Sequence, residues 1–330
     1  MADILLTHPP AALRNYYGAR AVAALRALGY VRLNPMQRPL STTELLDVSQ
    51  GCSIIVSDRS TPGEALLFER HTTLRAFVRC AVDIRTVAVP AASANGILVT
   101  RASPGFAPAV TELILGCIID LLRGITDGVM AYRAGRQPEI RIGRQLRGST
   151  LGVVGFGIIG RQLCDVALAL GMRVLVHDPY VTSGDPRLHR CSFEDLLAGS
   201  DTVVCLAVAS AETENLFEAA AFAAMKPSAV FVNAARGELV DDAALVDALS
   251  AGQIAGAALD VGRGPDQMPS PVLAARPDVI ATPHIGGLTV EATAFQAMET
   301  VDQVSAILAG RVPAGAVNAD FANRLLAEVN

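Results

Sequence analysis

Three polar side chains that could act on a carbonyl compound each follow an apolar run typical of a buried strand: Arg236, Asp260 and His284. Parallel strands present their carboxyl ends at one edge of a sheet, where open α/β folds bind their ligands. A guanidinium can hold a carboxylate and polarise the adjacent carbonyl. An imidazole can exchange a proton near neutral pH. Taken singly, the arginine could form a surface ion pair and the histidine a structural hydrogen bond, but together they favour hydride chemistry on a carbonyl carbon.

A glycine-rich turn predicts a site for a dinucleotide. It follows an apolar strand at 151–155 and precedes a helix predicted at 159–170, which is the context that such a turn requires. Its glycines permit a tight turn, a close approach of the backbone to a pyrophosphate, and close packing of helix on strand. The helix N-terminus attracts the phosphates. The predicted cofactor-binding residues of the turn are Gly155, Phe156, Gly157, Ile158, Ile159 and Gly160.

Asp178 lies at the end of the next predicted strand, 18 residues beyond Gly160. A carboxylate at this position can accept hydrogen bonds from the adenosine ribose hydroxyls and would repel a 2′-phosphate, which favours NAD over NADP. The alternative is a turn residue before Pro179. Because position and context both agree with the dinucleotide pattern, the ribose role is favoured.

Composition excludes several classes of protein. The 330 residues suggest two domains, and 51% hydrophobic with 18% charged residues indicate a globular chain. A net charge of −5 without a basic stripe gives no reason to expect a nucleic-acid partner. The six cysteines are scattered without metal-ligand spacing, so we expect no metal and a reducing cytoplasm. No signal-peptide pattern and no apolar run of about 18 residues stands out, so we expect no membrane.

Short apolar runs alternate with longer helical patterns in both halves of the chain, which predicts an α/β fold with doubly wound parallel sheets. The strands predicted in the first module are 4–7, 31–34, 53–57, 74–79 and 97–100, with helices at 21–28 and 42–49. The strands predicted in the second series are 151–155, 173–177, 202–206, 229–233, 254–259 and 279–282. Long helices are predicted at 109–135, as a connection between domains, and at 289–309. Periodicity does not place the segment 312–330.

The segments 225–242, 252–261 and 282–287 resemble the D-isomer-specific 2-hydroxyacid dehydrogenases, and the glycine turn and Asp178 match as well. The resemblance is strong over 148–292. It implies a Rossmann-type NAD-binding domain, 103–287, inserted into a smaller flavodoxin-like substrate domain formed by 1–102 and 288–330. It also implies a homodimer to which the helix at 109–135 contributes.

The same resemblance implies roles for single residues. Arg236 would bind the substrate carboxylate and carbonyl, His284 would be the general acid and base, and Asp260 would contact the nicotinamide side of the cofactor. Further cofactor contacts are expected from residues that follow the strands: Val208, Ala234, Ala235 and Gly286. A loop at 79–83 resembles the family's substrate-binding loop, in which backbone N–H groups hold a carboxylate, here those of Cys80, Ala81 and Val82.

The family's third catalytic group, a glutamate, has no counterpart in 261–269. Asp266 is the nearest carboxylate and would orient His284 if the loop bends toward the ring, while the alternative is a turn cap after Pro265. Without a carboxylate partner, His284 would be harder to protonate, and the pH optimum for reduction would move down. Other departures from the family pattern are Ala81 for a glycine, Ile84 for an asparagine and Val208 for a proline.

These observations predict an enzyme that transfers a hydride between NADH and a 2-oxo acid, giving a D-2-hydroxy acid. Two alternatives stay open. The absent glutamate favours a regulatory protein that senses NAD(H) with little catalysis, and Arg236 would equally serve a dehydrogenase of formate-like or phosphite-like anions. The acid itself is not identified by the sequence. Four side chains that could line its site are interpreted as structural or surface residues instead: Arg14, Tyr16, Tyr17 and Phe106.

Overall fold

The computed structural model describes residues 2–180 and 184–326, apart from the side chains of Asp266 and Leu326. The chain divides into two compact units. Unit 1 comprises Met1–Gly105 and Leu288–Asn330, and unit 2 comprises Phe106–Gly287. Within the described ranges, no helix is long and apolar enough to cross a membrane.

Unit 1 contains, in its described part, a five-stranded sheet in the order β2-β1-β3-β4-β5, with all strands parallel. The strands are β1 (Ala2–Leu6), β2 (Gly29–Leu33), β3 (Ile54–Ser57), β4 (Ala76–Arg79) and β5 (Leu98–Arg101). This is the flavodoxin-like order, so the prediction for the substrate domain's fold is confirmed. The direction of winding reverses between β1 and β3, which makes this pair the topological switch point of the sheet.

Unit 2 contains, where it is described, a seven-stranded parallel sheet in the order β12-β11-β10-β9-β6-β7-β8. The strands are β6 (Thr150–Val154), β7 (Arg173–His177), β8 (Leu188–Arg190), β9 (Thr202–Cys205), β10 (Val230–Asn233), β11 (Gly256–Leu259) and β12 (Val279–Ala281). The order is that of a Rossmann sheet, and its switch point lies between β6 and β9. The sequence does not predict β8, because this short edge strand is mostly polar and lacks an apolar run.

The helices cover both faces of each sheet. In chain order they are α1 (Pro10–Ala12), α2 (Gly18–Leu28), α3 (Thr42–Val48), α4 (Ala65–Arg70), α5 (Val89–Ala94), α6 (Ala107–Arg123), α7 (Ile125–Arg133), α8 (Ile158–Ala169), α9 (Phe193–Gly199), α10 (Ala219–Ala223), α11 (Asp242–Ser250), α12 (Pro271–Ala274), α13 (Val290–Leu308) and α14 (Asn323–Leu326). A π-helical turn, Leu13–Tyr17, joins α1 to α2, and 3-10 turns occupy Gly237–Leu239, Pro265–Gln267 and Ala319–Phe321.

Side chains that alternate along the strands build one apolar layer on each face of the sheet. In β1 of unit 1, Ile4 packs in a cluster with Leu25 of α2 and Val304 of α13. Leu5 packs on the opposite face with Leu45 of α3. The last long helix of the chain therefore completes the core that the first strand begins.

The prediction of one helix over 109–135 is wrong in one respect. Gly124 has a φ of 62°, which ends α6 at Arg123 and starts α7 at Ile125. Glycine adopts this left-handed conformation without steric cost and commonly terminates helices. The segment is thus two helices, and the glycine that separates them is visible in the sequence.

Candidate active site

The glycine turn lies at the switch point of unit 2, between the end of β6 and the start of α8. Gly155 has a φ of 100°, and a Cβ atom there would lie 2.5 Å from the carbonyl carbon of Leu206, which follows β9. A Cβ at Gly160 would overlap the carbonyl oxygen of Gly155. In contrast, a Cβ at Gly157 would meet no atom within 4 Å. The first and third glycines are thus required by the fold itself, while the middle one borders open space.

The helix α8 begins at this open space. Gly157 is its N-cap, and no side chain caps its first turn. The first N–H groups of a helix lack partners within the helix and form an anion site. The side chain of Phe156 is buried, and the guanidinium of Arg161 lies 4.6 Å from the centre of its ring. Ile158, by contrast, is largely exposed at the start of the helix.

Asp178 lies beside the turn, at the carboxyl end of β7. Its Oδ2 accepts a hydrogen bond from the backbone N–H of Phe156 (2.8 Å), and its Oδ1 accepts one from the backbone N–H of Tyr180 (2.9 Å). The carboxylate therefore holds the glycine turn against β7. A negative charge at this place also suits ribose hydroxyls better than a 2′-phosphate.

Open space at Gly157, an uncapped helix start and an adjacent carboxylate together fit the pyrophosphate and adenosine ribose of NAD. The residue Val208, in the loop after β9, is 81% exposed on the same edge of the sheet. Its carbonyl oxygen accepts a hydrogen bond from Thr213, which folds the β9 loop back on itself.

Arg236 follows β10 on a turn that Asn233 shapes. The Asn233 side chain accepts a hydrogen bond from the N–H of Ala235 (3.0 Å) and donates one to the carbonyl of Arg236 (2.9 Å). The Arg236 residue is half-buried, and its Nη1 donates to the carbonyl of Ala235 (2.7 Å). Ala235 is buried in this turn, and the N–H of Ala234 donates to the carbonyl of Cys205 (3.4 Å), so the expected cofactor contacts of both alanines remain predictions.

Asp260 and His284 are joined through the backbone of the loop after β12. The Asp260 carboxylate is buried and accepts hydrogen bonds from the Thr282 hydroxyl (2.7 Å) and from the N–H groups of Ile285 and Gly286 (2.8 Å each). His284 lies between these donors with a φ of 55°, a left-handed conformation that costs a non-glycine residue free energy. Asp260 thus stabilises the backbone conformation that presents the imidazole.

Steric crowding by Asp260 explains why a glycine occupies position 286 in the same loop. A Cβ at Gly286 would lie 2.7 Å from Asp260 Oδ2, so a side chain there would displace the carboxylate. The expected cofactor contacts of Asp260 and Gly286 remain predictions. In the structure, Asp260 and Gly286 both help to hold the loop that carries His284.

The loop 261–269, which lacks the family's glutamate, is a compact turn. The N–H of Gly262 donates to the carbonyl of Gln267 (2.7 Å) and that of Gly264 to the carbonyl of Met268 (2.9 Å), and Gln267 has a φ of 59°. The backbone of Asp266 lies in the 3-10 turn Pro265–Gln267, while its side chain lies outside the described residues. Its proposed contact with His284 therefore stays a prediction.

Arg263 ties this turn to the Arg236 turn, and the sequence analysis missed it. Its Nε and Nη2 donate to the carbonyl of Val240 (3.2 Å each), and Nη2 also donates to that of Glu238 (2.9 Å). Nη1 forms an ion pair with Glu214 (2.8 Å). Nη2 also donates to the Asn215 side chain (2.6 Å). No pattern in the sequence marks this clamp, because its partners lie more than 20 residues from Arg263 along the chain. Asn233 could have been found, since an asparagine at a strand end favours such turns.

The predicted substrate loop lies in unit 1, after β4. The N–H of Cys80 donates to the carbonyl of Ser57 (2.9 Å), so it is already engaged. Within the described residues, the N–H groups of Ala81 and Val82 donate to no protein acceptor. Two of the three predicted N–H groups are thus available for a carboxylate.

Arg79 anchors the start of this loop from inside unit 1. It is fully buried, and its guanidinium donates to the carbonyls of Asp58 and Arg59 and to the Thr86 hydroxyl. Burial lowers the pKa of Arg79 to about 10, which still leaves it charged at neutral pH. Arg79 therefore links the two ends of the loop to the turn after β3.

The four side chains interpreted as structural or surface residues are divided. Tyr17 is buried, and Phe106 packs against Gly287. Arg14 and Tyr16 are exposed on the π-helical turn.

Comparison with known proteins gives one consistent family. Residues 115–286 match the family described as D-isomer specific 2-hydroxyacid dehydrogenase, NAD binding domain. The chain is 34% identical over 272 residues to the (S)-sulfolactate dehydrogenase of Chromohalobacter salexigens, covering 81% of this chain and 88% of that protein. It is 32% identical over 283 residues to a D-3-phosphoglycerate dehydrogenase of Synechocystis, covering 84% of this chain but 51% of that protein. The chain therefore spans about half the length of that relative.

The crystal structure of a protein from Thermus thermophilus is 32% identical to this chain, with a TM-score of 0.86 over 96% of this chain and 99% of that one. The predictions of the fold class and of NAD as the cofactor are confirmed. The family match lies within unit 2, whose turn at Gly157 and carboxylate at Asp178 fit that cofactor. The chain thus belongs to the D-isomer-specific 2-hydroxyacid dehydrogenase family.

Proposed function

We propose that the protein is an oxidoreductase that reduces a 2-oxo acid with NADH to a D-2-hydroxy acid, and catalyses the reverse reaction. The observation that carries the proposal is the arrangement at the carboxyl edge of the unit 2 sheet. Arg236 follows β10, Asp260 follows β11 and His284 follows β12, and these strands are neighbours. The glycine turn follows β6 at the same edge, so a substrate anchor and a proton donor share one edge with the dinucleotide turn.

Arg236 binds the substrate in this proposal. Its planar N–H groups match a carboxylate and polarise the adjacent carbonyl, which makes the carbonyl carbon a better hydride acceptor. The turn of Asn233 fixes the backbone from which the guanidinium extends. The N–H groups of Ala81 and Val82 in unit 1 are proposed to hold the substrate carboxylate as well.

His284 moves the proton. In reduction its imidazole donates a proton to the carbonyl oxygen, and in oxidation it removes the proton from the hydroxyl. The nicotinamide cofactor, when bound, would supply the hydride to the carbonyl carbon as NADH, or accept it from that carbon as NAD⁺. We propose that Asp260 is a positioning residue, because its carboxylate accepts bonds from Ile285 and Gly286 on the loop of His284.

The test is NADH oxidation followed at about 340 nm, where the reduced nicotinamide absorbs, with a panel of 2-oxo acids from glyoxylate and hydroxypyruvate to larger branched acids. Arg236→Ala should lower kcat/KM on the order of 1,000-fold, because a charge-assisted pair worth about 2–5 kcal/mol is lost. Calorimetry should show NADH binding unchanged. Arg276→Ala is the matched control, since Arg276 pairs with Asp278 ahead of β12. Turnover retained by Arg236→Ala would refute the assignment.

The alternative function, sensing of NAD(H) without catalysis, is favoured by one observation, the absence of glutamate from 261–269. A sensor needs the glycine turn and Asp178 but has no use for Arg236 and His284. If the wild-type protein binds NADH tightly and turns over neither the 2-oxo acids nor formate and phosphite, the sensor is the better assignment.

We further propose a homodimer formed through α7 and the segment that connects α7 to β6. Ile140 is 96% exposed and Ile142 100% exposed, and Tyr132 of α7 is also largely exposed. Monomers in water seldom leave such apolar side chains uncovered in one region. Light scattering should give twice the chain mass, and Ile140→Ser with Ile142→Ser should shift the measured mass toward that of the monomer.

The six cysteines are unpaired thiols, which suits the cytoplasm.

A further inference from the structure

The switch point of unit 1 is bordered by two buried ionisable side chains. His8 lies shortly after β1 and is 3% exposed, and Asp58 directly follows β3. In sheets with this strand order, ligands bind in the crevice outside the carboxyl ends of these two strands. A ligand in the crevice would therefore meet His8.

The polar atoms of Asp58 and His8 differ in their partners. Asp58 Oδ1 accepts hydrogen bonds from the N–H groups of Ser60 (2.7 Å) and Thr61 (2.9 Å). His8 Nδ1 is buried and has no hydrogen-bond partner among the described residues. A buried donor or acceptor without a partner costs about 1–3 kcal/mol, so a group of this kind calls for a partner from outside the chain.

Packing fixes the ring of His8. Its centre lies 4.9 Å from that of Tyr17, and the Tyr17 hydroxyl is engaged with Thr300 (3.0 Å). Tyr17 belongs to the π-helical turn Leu13–Tyr17. Such turns are rare and occur frequently at functional sites. Tyr17 therefore packs against the imidazole of His8, but its hydroxyl gives no hydrogen bond to His8 Nδ1.

The substrate loop of unit 1 lies on the same edge. β1 pairs with β3, and β3 pairs with β4, whose carboxyl end carries Ala81 and Val82. Neighbouring strands are about 4.8 Å apart, and β3 lies between β1 and β4. The backbone after β1, which carries His8, is therefore roughly 10 Å from the backbone of Ala81 and Val82 after β4. An imidazole side chain and a short acid together span that distance.

The state of His8 restricts what it can recognise. Burial lowers its pKa to about 4, with the charge of Asp58 opposing the shift, so the ring is neutral at pH 7. A neutral imidazole offers one donor and one acceptor. A hydroxyl group can pair with Nδ1 in either tautomer, a methyl group with neither. Arg79, the nearby cation, donates to the carbonyls of Asp58 and Arg59 and to the Thr86 hydroxyl, while its Nε has no partner among the described residues.

We propose that His8 recognises a hydroxyl group on the C3 carbon of the substrate. This inference rests on the proposed function, in which Ala81 and Val82 hold the substrate carboxylate. The favoured substrates are 2-oxo acids that carry a 3-hydroxyl, and His8 determines that preference.

The kinetic test compares hydroxypyruvate with pyruvate. His8→Phe keeps an aromatic ring against Tyr17 and removes the nitrogen. The ratio of kcat/KM for hydroxypyruvate to that for pyruvate should fall about tenfold, the value of one neutral hydrogen bond. Tyr17→Phe is the matched control and should leave the ratio unchanged. A ratio unchanged in His8→Phe overturns the proposal, as does an equal fall with both variants.

A second measurement does not depend on turnover. The five histidines permit observation of the ring nitrogens by NMR in protein labelled with ¹⁵N-histidine, with His8→Phe identifying the His8 signal. With NADH present, D-glycerate should shift the His8 signal and D-lactate should not. An identical response to both acids, or none, indicates that only solvent contacts His8 and overturns the proposal. A selective shift in a protein without turnover would refute the proposed function and the substrate preference, but would retain recognition of the 3-hydroxyl by His8.

Discussion

The two sheets expose their switch points in different ways. In unit 2, the crevice between β6 and β9 is bordered by the glycine turn, and a carboxylate after the neighbouring β7, Asp178, holds that turn by accepting a hydrogen bond from the N–H of Phe156. In unit 1, the crevice between β1 and β3 has no glycine motif and leaves the Nδ1 of His8 without a partner among the described residues. The first crevice suits a cofactor of fixed structure, and the second leaves a polar group for a ligand to satisfy.

This difference suggests that the two units have different tasks, catalysis in unit 2 and choice of the substrate acid in unit 1. The groups that we propose for the chemistry lie on unit 2, where the side chains of Asn233 and Asp260 hold the turns of Arg236 and His284 through hydrogen bonds to the backbone. We assign selection of the substrate acid to unit 1, where the neutral His8 has an Nδ1 without a hydrogen-bond partner among the described residues. If the comparison is right, substitutions on the unit 2 edge should affect rate or cofactor binding, and those around His8 should affect substrate preference or stability.

The largest effect is expected from Asp260→Asn. An amide can accept from only one of Ile285 and Gly286 and would oppose the other N–H, so the loop of His284 should lose its conformation. Each such bond is worth about 1.5–3 kcal/mol, and kcat should fall on the order of 1,000-fold. Calorimetry should show the Kd for NADH within a few-fold of wild type. Asp278→Asn is the control. A Kd that weakens as much as kcat falls would instead make Asp260 a cofactor contact.

The next effect concerns acid stability of unit 1. The pKa of His8 is about 4 in the folded chain against 6.5 unfolded, so the unfolded chain binds the proton more readily. The stability from the neutral ring is complete above pH 6.5 and is lost as the pH falls toward 4. The change amounts to roughly 3 kcal/mol. Urea unfolding should show wild type losing that much relative to His8→Phe. A constant difference between the two across this pH range would contradict the burial of His8.

Gly157→Ala should weaken NADH binding about tenfold and leave the melting temperature nearly unchanged. Its Cβ would project into open space, so the fold tolerates it, but the pyrophosphate needs that space. Calorimetry is the suitable measurement, because the chain has no tryptophan to report binding by fluorescence. Gly116→Ala, also without a neighbour within 4 Å, is the control. If both variants bind NADH like wild type, the turn does not hold the pyrophosphate.

The sequence predicted the parts of the molecule that depend on local pattern. In the part of the chain that the structure describes, apolar runs located every strand except β8. The glycine turn was found because three glycines stand at fixed offsets. The long helix was predicted without its break, although Gly124 marks it. The clamp of Arg263 and the partnerless His8 nitrogen could not be predicted, because both depend on which residues tertiary packing brings near. Asp260 was predicted as a site residue, but its hydrogen bonds to the loop of His284 were not, because their donors lie 25 and 26 residues away.

The smallest effect, from Tyr17→Phe, tests whether the unit 1 crevice acts through His8 alone. The variant removes the hydrogen bond to Thr300, whose hydroxyl keeps its bond to the carbonyl of Ala297 (2.7 Å). Loss of one neutral bond should lower the free energy of unfolding by about 1 kcal/mol, measured in urea. The phenylalanine ring should still support the imidazole, so the preference for a 3-hydroxyl should persist. A preference lost in Tyr17→Phe and kept in His8→Phe would move recognition from the imidazole to the phenol, and the contrast between the crevices would then rest on Tyr17.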